Sequence, residues 1–286
     1  MLKRRIAAAV IVKDDIAVQS IGFQRYLPVG RPEIAVEFLS HWGADEIVLL
    51  DISATRQRRV VSPELVRRVA ARCLVPLAVG GGIGSVEDID RLLQAGADKV
   101  CINRALFQAP DFVTAAAQKF GNQCVVASID VNGGEVYEYP TASTAGLDPL
   151  TFARRAENLG VGEILLNAVE RDGRRGGFDV ELNAVVSAGL TIPVIALGGA
   201  GTPGHFREVF QRTNVRAACA ANFFHYSEHS IIRLKAALLN DGGPAVRLET
   251  SATYADAACD GDGRLFKKSD DELERLLYIR VEKEII

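Results

Sequence analysis

Eight short apolar runs punctuate the chain, at Ile6 to Val12, Ile47 to Ile52, Leu77 to Val79, Val100 to Ile102, Cys124 to Val131, Ile164 to Leu166, Val194 to Leu197 and Ala217 to Ala221. Each is continuous rather than alternating, the pattern of a parallel strand buried on both faces. Most are separated by stretches long enough for a helix and with helical patterning, such as Ser85 to Leu93. Strands alternating with helices in this way predict an α/β fold built on a parallel sheet.

Internal similarity decides between an open sheet and a closed one. The segment Pro76-Leu77-Ala78-Val79-Gly80-Gly81-Gly82-Ile83-Gly84-Ser85 resembles Pro193-Val194-Ile195-Ala196-Leu197-Gly198-Gly199-Ala200-Gly201-Thr202, an offset of 117 residues. Glu46-Ile47-Val48-Leu49 resembles Glu163-Ile164-Leu165-Leu166 at the same offset. A repeat of this kind is sought before any fold is assigned. Two related four-strand halves closing on each other predict a (β/α)8 TIM barrel over residues 1–240. From 241 the pattern changes to a polar linker, and residues 241–286 are expected to form a short extension ending in one helix. Ser269 and Glu272 are spaced as a capping box, and Leu273, Leu276, Leu277, Val281 and Ile285 fall on one face.

Composition narrows the class. With 286 residues, 48% of them hydrophobic and 24% charged, the chain has the balance of an ordinary globular protein with a sizeable core. The net charge of -3 and the scattered Lys and Arg argue against a nucleic-acid partner. Five cysteines show no ligand spacing, so they read as reduced core thiols, with no metal and no cofactor implied. The apolar stretch after the basic N-terminus stops at Lys13, too short for a signal region or a membrane span, which points to the cytoplasm. No Ser/His/Asp or Cys/His nucleophile set can be assembled.

In a barrel of this kind the strand C-termini carry the site, and glycine-rich loops there expose backbone N–H groups to phosphate. Two such loops stand half a barrel apart: Gly81 and Gly82, beside the strand end at Asn103, and Gly198 and Gly199, beside the strand end at Asn222. Asp172-Gly173 adds a tight turn on the second side. One glycine loop alone reads equally as a plain βα turn. Two of them, each beside a polar strand end, predict an acceptor with two anionic ends.

This duplicated arrangement, with Leu50-Asp51-Ile52, Gly80-Gly81-Gly82-Ile83, Gly96-Ala97-Asp98-Lys99, Ile129-Asp130, Arg171-Asp172-Gly173 and Gly198-Gly199-Ala200-Gly201, resembles the HisF family, the cyclase subunit of imidazole glycerol phosphate synthase. The resemblance covers about residues 1–240. It implies a HisH-like glutaminase docked on the N-terminal face of the barrel and ammonia passing through it. It also implies a charged entrance ring at Arg5, Glu46, Lys99 and Glu163, with Asp98 at the glutaminase interface. Paired charges capping a barrel floor are the plainer reading of the same four residues. The resemblance further implies substrate contacts at Asp51 and the glycine loops, and Asp130 as a catalytic carboxylate.

Departures from the family pattern cluster at the catalytic end. Ile11 stands where the family has a second aspartate and cannot transfer a proton. Gln19 replaces a lysine, Leu197 a serine, and Arg104 a small hydroxyl residue. The segment Gln19 to Gly30 is similar to HisF-like proteins of surface-polysaccharide gene sets, which act with a HisH-like glutaminase and an amidotransferase to convert an acetamido sugar to an acetamidino sugar. The expected function is therefore to accept ammonia for amidination of a nucleotide- or lipid-linked sugar with a separate ATP-dependent amidotransferase. The alternative is a true cyclase of histidine biosynthesis.

Overall fold

The computed structural model describes residues 3–138, 143–144, 146–225, 227, 229–240 and 243–248. Eight parallel strands form the barrel wall: β1 (Arg5–Lys13), β4 (Glu46–Asp51), β5 (Leu77–Gly80), β6 (Lys99–Ile102), β7 (Val125–Asn132), β10 (Glu163–Ala168), β11 (Val194–Leu197) and β12 (Ala217–Ala220). They pair in chain order, β12 returns to β1, and β10 pairs with β7, so the sheet closes. The eight apolar runs of the sequence are these eight strands. The wall is a (β/α)8 barrel.

Helices cover the outside: α1 (Pro32–His41), α2 (Pro63–Ala70), α3 (Val86–Gln94), the short α4 (Ala105–Gln108), α5 (Pro110–Phe120), α6 (Pro149–Asn158), α7 (Val180–Ala188), α8 (Pro203–Arg212) and α9 (Ser230–Asn240). Their starts are written in the sequence. Ser62, Asp148 and Asp179 each accept a hydrogen bond from a first-turn backbone N–H, and Ser85 forms a capping box with Asp88. None of the helices among the described residues is long and apolar enough to cross a membrane.

Two cores follow from the two-residue period of a strand. Ile6, Ala8 and Val10 of β1 face the helices, while Ala7 and Ala9 join Val48, Ala78, Cys101, Val126, Leu165, Ile195, Ala217 and Cys219 in an inner cluster. All of these are at most 4% exposed, so the barrel interior is packed rather than open.

The remaining strands are additions that apolar runs do not announce. β2 (Ile16–Ile21) and β3 (Arg25–Gly30) make an antiparallel hairpin carried by the end of β1. β8 (Glu135–Glu138) pairs antiparallel with β7, and β9 (Ser143–Thr144) with β8. At the other end of the barrel, Arg4 donates its backbone N–H to the Ala245 carbonyl at 2.8 Å and bridges in parallel to Val246. The helix expected from Ser269 onward lies outside the described residues.

Glycines in the duplicated loops are demanded by close backbone approach. A Cβ on Gly82 would stand 1.9 Å from the Arg59 carbonyl oxygen, and one on Gly199 would stand 2.1 Å from the Gly177 oxygen, both at positive φ. Gly84 has nothing within 4 Å. Gly199→Ala is therefore expected to cost about 2–4 kcal/mol of stability, and Gly84→Ala less than about 0.5 kcal/mol, in parallel urea unfolding curves.

Candidate functional site

The inward-facing residues form columns that run from one mouth of the barrel to the other. On β1 the column is Arg5, Ala7, Ala9, Ile11; on β4 it is Glu46, Val48, Leu50; on β6 and the residue after it, Lys99, Cys101, Asn103; on β10, Glu163, Leu165, Asn167. Charged residues thus lie at the strand starts, small apolar ones in the middle, and the cavity floor at the strand ends.

At the strand starts the four charges close into one ring. Arg5 donates to both Glu46 and Glu163, and Lys99 Nζ lies 2.7 Å from Glu46 Oε1 and 2.9 Å from Glu163 Oε2. Every cation touches both anions. The glutamate side chains are 2% and 8% exposed, which makes this arrangement obligatory, because a buried carboxylate without a partner costs several kcal/mol. Burial works against the Lys99 ammonium, but Glu46 and Glu163 outweigh it and hold its pKa above the ordinary value. Arg5 is raised in the same way by the same two carboxylates against its burial. Asp98, next to Lys99, is exposed on this face and accepts the backbone N–H of Leu77 at 2.8 Å.

Above the ring, burial first and the Glu46 carboxylate second push the Cys101 and Cys219 thiols up, so both stay protonated and inert. The interior there is lined by alanines, cysteines and branched aliphatics.

At the strand ends a cavity of about 580 Å³ opens, within the range typical of small-molecule sites. Asp130, Asn103, Asn167, Asp51, Asp172, Gly81 and Gly82 line it together with Ile11, Leu50 and Leu197. Asp130 is 9% exposed. Its Oδ1 accepts Asn167 Nδ2 at 2.8 Å and its Oδ2 accepts Asn103 Nδ2 at 3.1 Å. Burial raises its pKa to about 6, and the two amide donors oppose that shift without cancelling it. A carboxyl group held near neutrality can both give and take a proton at cellular pH. Ile11 faces the same cavity with no group that ionises.

Asp51 does not present a free carboxylate. Its Oδ1 accepts the backbone N–H groups of Ser53 and Ala54, and its Oδ2 is 2.6 Å from Arg59 Nη1, so it fixes the loop after β4. The second side is closed differently. Asp172 accepts Ser20 Oγ at 2.7 Å and the Phe23 N–H, and Asn222 Nδ2 donates to the Ser20 carbonyl at 2.6 Å, pinning the β2–β3 hairpin. Burial pushes the Asp172 carboxyl up. Gly173 lies against Ser20 and Ile21, and Gly198 and Gly199 against Ala168 and Gly177. Gly173, Gly198, Gly199 and Asn222 are not among the cavity walls, whereas Gly81, Gly82 and Asn103 are.

Asn167 and Ser128 were not singled out from the sequence. The available signal was a polar residue directly after the apolar run Ile164 to Leu166, in step with the inward-facing positions of that strand. His225 does not line the cavity, and burial depresses its imidazole pKa to about 4. Among the described residues no cluster of His, Cys, Asp and Glu could hold a metal ion.

Fold and site define a closed α/β barrel with a neutral ring of ion pairs at one mouth and a polar cavity around a buried carboxylate at the other. The chain belongs to the histidine biosynthesis protein family, whose model matches residues 5–230. It is 42% identical over 268 residues to a provisionally named imidazole glycerol phosphate synthase subunit, hisF2, of Vibrio vulnificus, covering 92% of this chain and 98% of the relative. It is equally similar, at 42%, to the imidazole glycerol phosphate synthase subunits HisF of Streptococcus sanguinis, over 83% of this chain and 96% of that one, and of Dehalococcoides mccartyi, over 87% and 100%.

The elevated carboxyl fixes a pH dependence. Below about pH 4 Asp130 is protonated in both folded and unfolded chains; above about pH 6 it is ionised in both, and the folded state bears the full burial penalty. Its contribution to stability therefore falls as pH rises between those values, by roughly 3 kcal/mol for a shift of this size. Asp130→Asn removes the ionisation, so relative to wild type the variant should gain stability from pH 4 to pH 7. Urea midpoints that differ by the same amount at both pH values would refute the elevated pKa.

Proposed function

We propose that this chain is the ammonia-accepting subunit of a glutamine-dependent synthase, in which a HisH-like glutaminase docks on the ring face beside Asp98. Ammonia enters past Arg5, Glu46, Lys99 and Glu163, crosses the small apolar interior and emerges at Asp130. The acceptor is an acetamido sugar of surface-polysaccharide (O-antigen or lipopolysaccharide) biosynthesis, converted to its acetamidino form in the cytoplasm. Replacing the acetamido oxygen by nitrogen requires that oxygen to leave, so an ATP-dependent amidotransferase activates it. Asp130 handles the proton exchanged with the incoming nitrogen.

The observation that carries this reading is the coexistence of a complete entrance ring with a single proton-transferring carboxyl at the other end, where Ile11 takes the place of a second one. A ring opening and closure that needs an acid and a base on opposite sides of the substrate loses about two to four orders of magnitude when one is missing. Delivery of ammonia needs only the passage. The closed ring must open one ion pair to admit a molecule, and Lys99, with its flexible stem, is the member suited to that motion.

A second reading is supported by the names of the relatives: a cyclase subunit of imidazole glycerol phosphate synthase in which another group replaces the missing aspartate. Turnover of the phosphoribosyl-formimino substrate of histidine synthesis with ammonium separates the two. Wild type is expected to show at least about a hundredfold less cyclase activity than Ile11→Asp, or none in either protein, while a glutaminase partner still passes ammonia to an acetamido acceptor. Ordinary cyclase turnover by wild type, unimproved by Ile11→Asp, would overturn the amidination reading and establish the second.

A further inference from the structure

The two halves of the barrel are related by sequence, yet the cavity they share is not symmetric. All the basic side chains in its walls, Arg58, Arg59, Arg91 and Arg104, come from the first half: the loop after β4, helix α3 and the residues after β6. Two of them are neutralised, Arg59 by Asp51 at 2.6 Å and Arg91 by Asp88 at 2.5 Å. Arg58 and Arg104 are exposed and their guanidinium groups make no hydrogen bond or ion pair to any described residue. Arg58 is held at a positive φ of 52° beside the Gly81-Gly82 loop, and Arg104 follows Asn103, so both belong to the same end of the cavity.

The second half offers no counterpart. Arg171, Arg174 and Arg175 lie on its corresponding loop, but none of them lines the cavity. Gly81 and Gly82 of the first half line the cavity, whereas Gly173, Gly198, Gly199 and Gly201 of the second do not. Asn222 is engaged with the Ser20 carbonyl. What the second half and the hairpin do contribute to the walls carries no cation: the carboxyl groups of Asp130 and Asp172, the neutral polar Asn167 and Ser20, and the apolar Leu197, Ala221 and Phe23.

We infer that the cavity takes an acceptor with one anionic end, a diphosphate ester whose phosphates are gripped by Arg58 and Arg104 and whose sugar reaches Asp130 along the side that carries no basic residue. Planar guanidinium groups pair with phosphate oxygens through two parallel hydrogen bonds, which suits two arginines without partners at one end of the cavity to a diphosphate. This differs from the doubly anionic acceptor that the duplicated glycine loops predict from sequence, and the two are separated by the titration below. It rests on the proposed function and narrows its substrate, since nucleotide-linked and lipid-linked sugars share this diphosphate.

Calorimetric titration of the full chain with four probes tests it: inorganic pyrophosphate, UDP-N-acetylglucosamine, farnesyl diphosphate and fructose 1,6-bisphosphate. Pyrophosphate and at least one ester should bind, the better ester more tightly than pyrophosphate. Arg58→Ala and Arg104→Ala should each weaken them about tenfold, with Arg174→Ala unchanged. Preference for the nucleotide identifies a soluble donor, and preference for farnesyl diphosphate a lipid-linked one; both outcomes support a one-ended site. Tighter binding of fructose 1,6-bisphosphate than of pyrophosphate, sensitive to Arg174→Ala, would overturn it, as would indifference to both cavity arginines. Glutaminase coupling measured on the same variants keeps the two readings apart: intact coupling with failed diphosphate binding sinks the one-ended acceptor alone, and absent wild-type coupling sinks the proposed function.

Discussion

Everything functional in this barrel depends on the two-residue period of a strand. An odd or even position on each strand decides whether a side chain enters the barrel or meets a helix. Arg5 and Ile11 belong to the same inward column of β1, as do Lys99 and Cys101 on β6 and Glu163 and Asn167 on β10. A one-residue slip in any of the four strands that carry the ring would exchange the ring residue for an apolar neighbour and place a charge among the helices. Closure of the sheet is what forbids that slip, because each register is held on both sides.

Buried charge is treated in opposite ways at the two mouths. At the strand starts it is kept ionised by full pairing, two cations against two anions with every neighbouring edge closed. At the strand ends Asp130 has amide donors but no cation, so burial lifts it to about 6. Asn103 and Asn167 orient the carboxyl without supplying charge, which leaves it able to change protonation near neutral pH. One environment holds a carboxylate permanently ionised and the other leaves the same chemical group titratable near neutral pH.

The barrel was legible in the sequence because its strands are buried on both faces and therefore read as unbroken apolar runs, and because its halves repeat. The charged ring was legible through the family resemblance, at four residues that each directly precede one of those runs. The hairpin was not: Ile16 to Gly30 mixes exposed and buried positions, and its place over the cavity is fixed by hydrogen bonds from Asn222 and to Asp172, both far away in sequence. For the same reason, the second glycine loop looked equivalent to the first. Their sequences are alike; what differs is which of them the hairpin and the loop after β10 leave facing the cavity.

The charges at the strand starts and the carboxyl at the strand ends share one low-dielectric interior, so the balance of the ring bears on both. Cys101 and Cys219, in the layer directly above the ring, feel Glu46 as a raising influence. Asp130, higher in the same interior, is raised chiefly by burial and further by Asp172, against its two asparagines. Opposite charges alternating around a small ring cancel one another's field within a short distance, whereas an unbalanced ring would extend through the low-dielectric interior. Neutral pairing therefore does more than stabilise the floor of the barrel. It leaves the residues around Asp130, including Ile11, Leu197 and Arg104, to set the local electrostatics of the cavity at the strand ends.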